Sequence, residues 1–83
     1  MSDLTLYTRV GCHLCDEMKA DLLALRPLLD FRLTEVEVGW DGELAEKYGS
    51  LIPVLELAGR EVCHYFLDEA RLRAALAQAQ QAL

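Results

Sequence analysis

Apolar residues alternate at the start of the chain: Leu4 and Leu6 share one parity, and Val10 continues it beyond Tyr7 and Thr8. Successive side chains of an extended backbone point to opposite faces, so this period of two predicts a first strand over Asp3 to Thr8. Gly11 permits a sharp turn, after which the period lengthens. Leu14, Cys15, Met18, Leu22 and Leu25 recur at steps of three or four, as on one face of an amphipathic helix running from Cys12 or His13 to Leu25. Pro27 stops it. Phe31 and Leu33 then share one parity and Val36 and Val38 the other, which predicts a second strand over Phe31 to Val38 with a bulge as the source of the change.

Asp41-Gly42 opens a short helix with Leu44, Ala45 and Tyr48 on one face, and Gly49 closes it in the manner of a helix C-terminal glycine. Ser50-Leu51-Ile52-Pro53 reads as a linker. Val54 to Leu57 and Glu61 to Tyr65 flank Ala58-Gly59-Arg60, as two strands flank a hairpin turn. Asp68 and Glu69 suit the positive end of a last helix whose stripe is Leu72, Ala75, Leu76 and Ala79, and the segment Ala77 to Ala82 is helix-forming material that can fray. The order is β-α-β-α-β-β-α. A strand, crossover helix and strand make a parallel unit, and a following hairpin adds antiparallel strands. The expected fold class is therefore α/β, a four-stranded mixed sheet with helices on both faces.

With 53% hydrophobic and 27% charged residues, the 83-residue chain fits one folded domain over residues 1–83 and excludes a disordered one. No apolar run approaches the roughly 20 residues of a membrane-spanning helix, so no membrane partner is expected. A formal net charge of −6, with eight basic residues spread along the chain, argues against nucleic acid. Met1-Ser2-Asp3 leads into the first strand without a secretory pattern, which predicts a reducing, cytoplasmic setting. Nothing demands more than a monomer.

Two of the three cysteines, Cys12 and Cys15, stand two residues apart at the head of the first helix. Free N–H groups and the positive end of the helix dipole favour an anion there, below the free thiol value of about 8.5. The first sulfur lies at the exposed tip and the second falls deeper on the apolar stripe, so Cys12 is the expected nucleophile and Cys15 the resolving cysteine. Arg9 favours a Cys12 thiolate by charge, whereas Asp16 and Glu17 oppose it. His13 is assigned to tuning rather than to proton transfer. Cys63 and His64 point to opposite faces of the last strand, Cys63 as a small buried group, and Trp40 and Tyr48 read as packing around the short helix.

Tyr7-Thr8-Arg9-Val10-Gly11-Cys12-His13-Leu14-Cys15, together with Ile52-Pro53-Val54 and the order of elements, resembles the glutaredoxin branch of the thioredoxin fold, in its short Gly-Cys-His-Leu-Cys form. The resemblance implies a small thiol–disulfide oxidoreductase acting on protein or low-molecular-weight disulfides. It also implies a cis peptide bond before Pro53, with the Ile52 backbone beside the cysteines where an extended substrate pairs with it; the plain alternative is a trans proline at a strand start. Arg9 matches a basic residue that binds a terminal carboxylate in glutathione-using members. Their Gly-Gly-x-Asp segment is replaced here by Val62-Cys63-His64-Tyr65-Phe66-Leu67-Asp68, in which Cys63 and His64 bring bulk. Glutathione is therefore a candidate reductant with an incomplete binding motif, and no bound cofactor is expected. Two rival classes remain: zinc held by Cys12, Cys15, Cys63 and His13 or His64, and a non-catalytic adaptor of the same fold.

Overall fold

The computed structural model describes residues 2–81; Met1, Ala82 and Leu83 lie outside the described residues, and with them the end of the Ala77–Ala82 segment. The elements are β1 (Ser2–Thr8), α1 (His13–Leu25), β2 (Phe31–Glu37), α2 (Glu43–Tyr48), β3 (Val54–Leu57), β4 (Arg60–His64) and α3 (Glu69–Gln81). They form one sheet of order β2-β1-β3-β4, in which β1 runs parallel to β2 and antiparallel to β3, and β4 is antiparallel to β3. This is the expected α/β architecture. Among the described residues no helix is long and apolar enough to cross a membrane.

The two parities of each strand explain the two sides of the sheet. Leu4 and Leu6 of β1, Phe31 of β2 and Leu55 of β3 pack with Met18 and Leu22 of α1 and Leu72 and Leu76 of α3 in the larger apolar cluster. On the other face Val38, Val54 and Tyr48, the one buried residue of α2, form a smaller cluster that also takes Tyr7, Leu51 and Ile52. Leu44 of α2 is 40% exposed, so the three-residue stripe expected there reduces to an anchor at Tyr48 with Ala45 half-buried.

The parity change along β2 has a different cause from the bulge it suggested. Pairing with β1 runs unbroken from Ser2 opposite Phe31 to Thr8 opposite Glu37. Phe31 and Leu33 serve the larger cluster and Val38 the smaller one, so this edge strand buries one face at its start and the other at its end. The irregularity lies instead between Leu55 and Glu56 in the β3–β4 pairing, where it resets the alternation and lets both Val62 and Cys63 be buried. The hairpin turn is two residues, Ala58 and Gly59, both at positive φ (53° and 79°), a twist that suits a tight hairpin and brings Arg60 into β4. Tyr65 leaves the strand at φ 65°. Val10 also departs from its expected parity: β1 ends at Thr8, and Val10 is 69% exposed in the turn beyond.

Beneath α2, the Tyr48 hydroxyl donates to Glu56 Oε2 at 2.8 Å, and the Tyr7 ring stacks on Tyr48 with centroids 3.9 Å apart. This pairing answers the polar group that β3 carries into the interior, and among the described residues no buried side-chain polar atom lacks a partner. The Tyr48 hydroxyl beside it, followed by burial, pushes the Tyr7 phenol up to about 12. Burial, then the bond to Glu56, raises Tyr48 as well. A phenol with a raised folded-state pKa contributes stability that is fully present below its unfolded value of about 10 and is lost as pH rises through the folded value. The unfolding free energy is therefore expected to fall between pH 10 and about 12, and Tyr7→Phe to flatten part of that fall, as read by urea denaturation across the alkaline range.

Candidate active site

Strand register brings four connections to one edge of the sheet. Tyr7 near the end of β1 pairs with Val36 of β2 and with Val54 at the start of β3, and Val54 pairs with His64 at the end of β4. The turn to Cys12, the loop after β2, the Ile52-Pro53 approach to β3 and the Tyr65-Phe66 exit from β4 consequently share that edge. It is the side of the parallel β1–β2 pair on which the strands end, the usual position for ligand crevices in α/β sheets.

At the first connection Gly11 takes φ 81°, which places Cys12 in extended conformation (φ −88°, ψ 111°) as the cap of α1. Its Sγ accepts the Cys15 N–H at 3.1 Å, the role usually taken by a serine or aspartate oxygen. Cys12 and Cys15 are joined in a disulfide, with Cα atoms 5.2 Å apart. Cys12 is half-buried, while Cys15 is 3% exposed on the apolar stripe with Met18 and Leu22. An incoming group therefore meets the Cys12 sulfur first. His13, the first helical residue, is exposed beside it.

Arg9 is held by the loops on either side of α2. Its Nε donates to the Gly39 carbonyl at 2.8 Å, its Nη1 lies 3.5 Å from the Gly49 carbonyl, and its guanidinium covers the Trp40 ring at 4.2 Å. Trp40 is 77% exposed, so its contact is this cation–π face rather than the packing around α2 expected of it. Gly49 is the C-cap of α2, as expected, but with right-handed angles (φ −57°, ψ −31°) that do not themselves require glycine, so the missing side chain has another reason. A Cβ there would collide with the Ala45 carbonyl oxygen and lie 2.7 Å from Arg9 Nη2.

Pro53 is buried and the Ile52–Pro53 peptide bond is cis. The Pro53 carbonyl accepts the Tyr65 N–H at 2.9 Å, and the Tyr65 hydroxyl donates to the Ser50 carbonyl at 2.8 Å. Among the described residues no hydrogen bond engages the Ile52 N–H or carbonyl. The bulk expected from Cys63 and His64 comes from their successors. Cys63 lies in the large cluster, where burial pushes its thiol up, and His64 Nδ1 pairs with Glu61 at 2.8 Å. Tyr65 and Phe66 are the residues exposed at the site edge. Their signal in the sequence was their place where Gly-Gly was expected, two aromatics directly after the last strand.

On the opposite side of α1 a cleft of about 480 Å³ is lined by Arg9, Cys15, Asp16, Glu35 and Glu37. Lys19 bonds Glu35 at 2.8 Å and, with the Thr8 hydroxyl, holds its carboxyl below the usual carboxylate range against the opposing effect of partial burial. Among the described residues no three His, Cys, Asp or Glu side chains are grouped so as to hold a metal ion, and the suggested set of Cys12, Cys15, Cys63 and a histidine is not assembled.

A four-stranded mixed sheet of this order, with a cysteine pair opening α1, is a thioredoxin-like fold. Thioredoxin O2 of Arabidopsis thaliana in its oxidised state shares it, with a TM-score of 0.53 at 21% identity over 94% of this chain and 74% of that one. The chain belongs to the glutaredoxin-like domain family (DUF836), which matches residues 3–77. It is similar to an NMR structure of a Nitrosomonas europaea protein, 38% identical over 89% of each chain with a TM-score of 0.76. An X. campestris protein solved by X-ray is 39% identical over 90% of this chain and 96% of that one, with a TM-score of 0.67. An uncharacterized protein of Mycobacterium tuberculosis is 37% identical over 79 residues, 88% of this chain and 80% of the relative.

Arg9 and Gly49 form a joint between the turn that carries Cys12 and the end of α2, and the space at Gly49 is what lets the arginine pass. Gly49→Ala is expected to lower the unfolding free energy by about 1–3 kcal/mol, the range for forcing a methyl group into an occupied space, measured as a reduced urea midpoint.

Proposed function

We propose that the protein is a thiol–disulfide oxidoreductase with Cys12 as nucleophile and Cys15 as resolving cysteine. The observation that carries the reading is the placement of the bonded pair: one sulfur at the accessible cap of α1, the other buried one turn deeper. In the reduced protein the Cys12 thiolate attacks one sulfur of a substrate disulfide, a Cys12–substrate bond forms, and the other substrate sulfur leaves as a thiolate. The Cys15 thiolate then attacks Cys12 Sγ and releases the second substrate sulfur. Two electrons and two protons pass to the substrate, and the site closes to the disulfide.

The supporting residues follow from the site edge. The unpaired Ile52 N–H and carbonyl, presented by Pro53, suit main-chain pairing with an extended substrate. Arg9 adds positive charge three residues before Cys12 while its N–H groups fix the loops around the site. His13 tunes the thiolate from the first helical position. The substrates are protein or small-molecule disulfides, and no resident cofactor takes part. Restoring the dithiol takes two electrons and two protons from an external thiol, for which glutathione is a candidate donor. The reaction suits a monomer in a reducing, cytoplasmic compartment.

The two cysteine variants separate the roles. Cys15→Ser is expected to retain one stoichiometric mixed disulfide with a model substrate, seen as added mass that reductant removes, whereas Cys12→Ser forms none and does not reduce hydroxyethyl disulfide. Alkylation of Cys12 in the reduced protein should reach half its maximal rate below pH 8.5, the free thiol value. Undiminished exchange by Cys12→Ser overturns the assignment.

A further inference from the structure

Beside the cysteines, α1 and the β4–α3 connection enclose an open groove of about 370 Å³ lined by Leu14, Tyr65, Phe66 and Leu67, with Glu17 and Asp21 from α1 also on its wall. Phe66 is 67% exposed, a large apolar ring left in water at the edge where the substrate arrives. Tyr65 is tied to the Ser50 and Pro53 carbonyls, so this wall is fixed to the approach to β3. Glu17 and Asp21 stand one helical turn apart on the same face, and among the described residues neither has an ion-pair partner. Lys19 is engaged with Glu35 and Arg9 with two carbonyls and Trp40, and Arg71, which lines the neighbouring cleft with Phe66 and Leu67, does not line this one. The groove is therefore apolar along its floor and negative along one rim.

We infer that this groove binds the segment flanking the reactive cysteine of a polypeptide disulfide, an extended chain carrying an apolar side chain beside that cysteine and an arginine or lysine a few residues on. The inference rests on the oxidoreductase reading and names its substrate class. Charge selects the occupant: a cationic segment meets the Glu17 and Asp21 carboxylates, whereas glutathione, with two carboxylates and one ammonium, is repelled by them. Geometry sets the spacing. Glu17 and Asp21 lie about 7.5 and 13.5 Å along the helix from Cys12 at about 1.5 Å per residue, which an extended peptide covers in about two and four residues. Each such disulfide takes two electrons and two protons from the Cys12–Cys15 dithiol, as above.

The test uses protein reduced with dithiothreitol and freed of the excess, so that its own dithiol is the only reductant. It is mixed in separate reactions with four disulfides: a peptide dimer with Phe beside the cysteine and Arg two and four residues on, the same peptide with Glu in place of Arg, glutathione disulfide, and hydroxyethyl disulfide. The Arg peptide is expected to react about five- to tenfold faster than its Glu counterpart at low salt, with the gap closing as salt screens the rim. It should also outpace glutathione disulfide. In Glu17→Gln/Asp21→Asn the ratio of the two peptide rates should fall to within about twofold, and Phe66→Ala should slow the Arg peptide relative to hydroxyethyl disulfide. Equal rates for the two peptides in the parent protein, or a faster reaction with glutathione disulfide, overturn the inference while leaving the dithiol chemistry standing. Failure to reduce even hydroxyethyl disulfide overturns the oxidoreductase reading, and this inference with it.

Discussion

The first turn of an α-helix carries N–H groups that no carbonyl within the helix can accept, and α1 meets this requirement with a sulfur. Cys12 occupies the cap position in extended conformation, and its Sγ takes the Cys15 N–H. A serine or aspartate would satisfy the same donor, but only sulfur can also exchange covalent partners at that point. The atom that completes the helix is thus the one available for chemistry. The positive φ at Gly11 is the local condition for this arrangement, because it turns the chain from the end of β1 into the cap within a few residues.

Holding that cap in a useful place is a matter of tertiary structure. The turn belongs to β1, an interior strand flanked by β2 and β3, and both cover and support arrive from its neighbours. On one face Leu4 and Leu6 are locked against α1 and α3, so the base of the cysteine helix is packed on the strand that leads into it. On the other face Tyr7, stacked on Tyr48, ties the same strand to α2. Arg9 continues the connection beyond the strand, binding carbonyls on both sides of α2. Its guanidinium is occupied in fixing the backbone around the cysteine turn, through two carbonyls and the Trp40 ring.

Element order, the mixed sheet and the cysteine pair at the head of α1 were legible in the sequence because each is written in local signals: a period of two, a period near 3.6, and glycine or proline at the junctions. What was not legible depends on partners far along the chain. The parity change in β2 reads as a bulge when the strand is taken alone; only the packing partners show that Phe31 and Val38 serve opposite faces of an unbroken strand. Gly49 does end α2, but its further reason, an arginine side chain from 40 residues earlier, is invisible to any local pattern. Trp40 reads as aromatic packing around the short helix, yet it lies in water under the same guanidinium. The aromatic pair after β4 has no periodic signal of its own, and the places of Cys63 in the core and of His64 in a hydrogen bond to Glu61 depend on the β3–β4 irregularity.

Tyr65 shows how that last segment acquires its character. A non-glycine residue in the left-handed region costs on the order of 1–2 kcal/mol, and a bulky one is uncommon there. Two hydrogen bonds oppose the cost, from its N–H to Pro53 and from its hydroxyl to Ser50, each with a net contribution of about 1 kcal/mol. The terms are comparable, so the conformation persists because the side chain is anchored, not because the backbone prefers it. Glycine would adopt the same angles freely and leave an open ledge of backbone for a short main-chain ligand. With tyrosine the ledge becomes a wall, joined through its hydroxyl to the loop before β3 and continued by the exposed ring of Phe66.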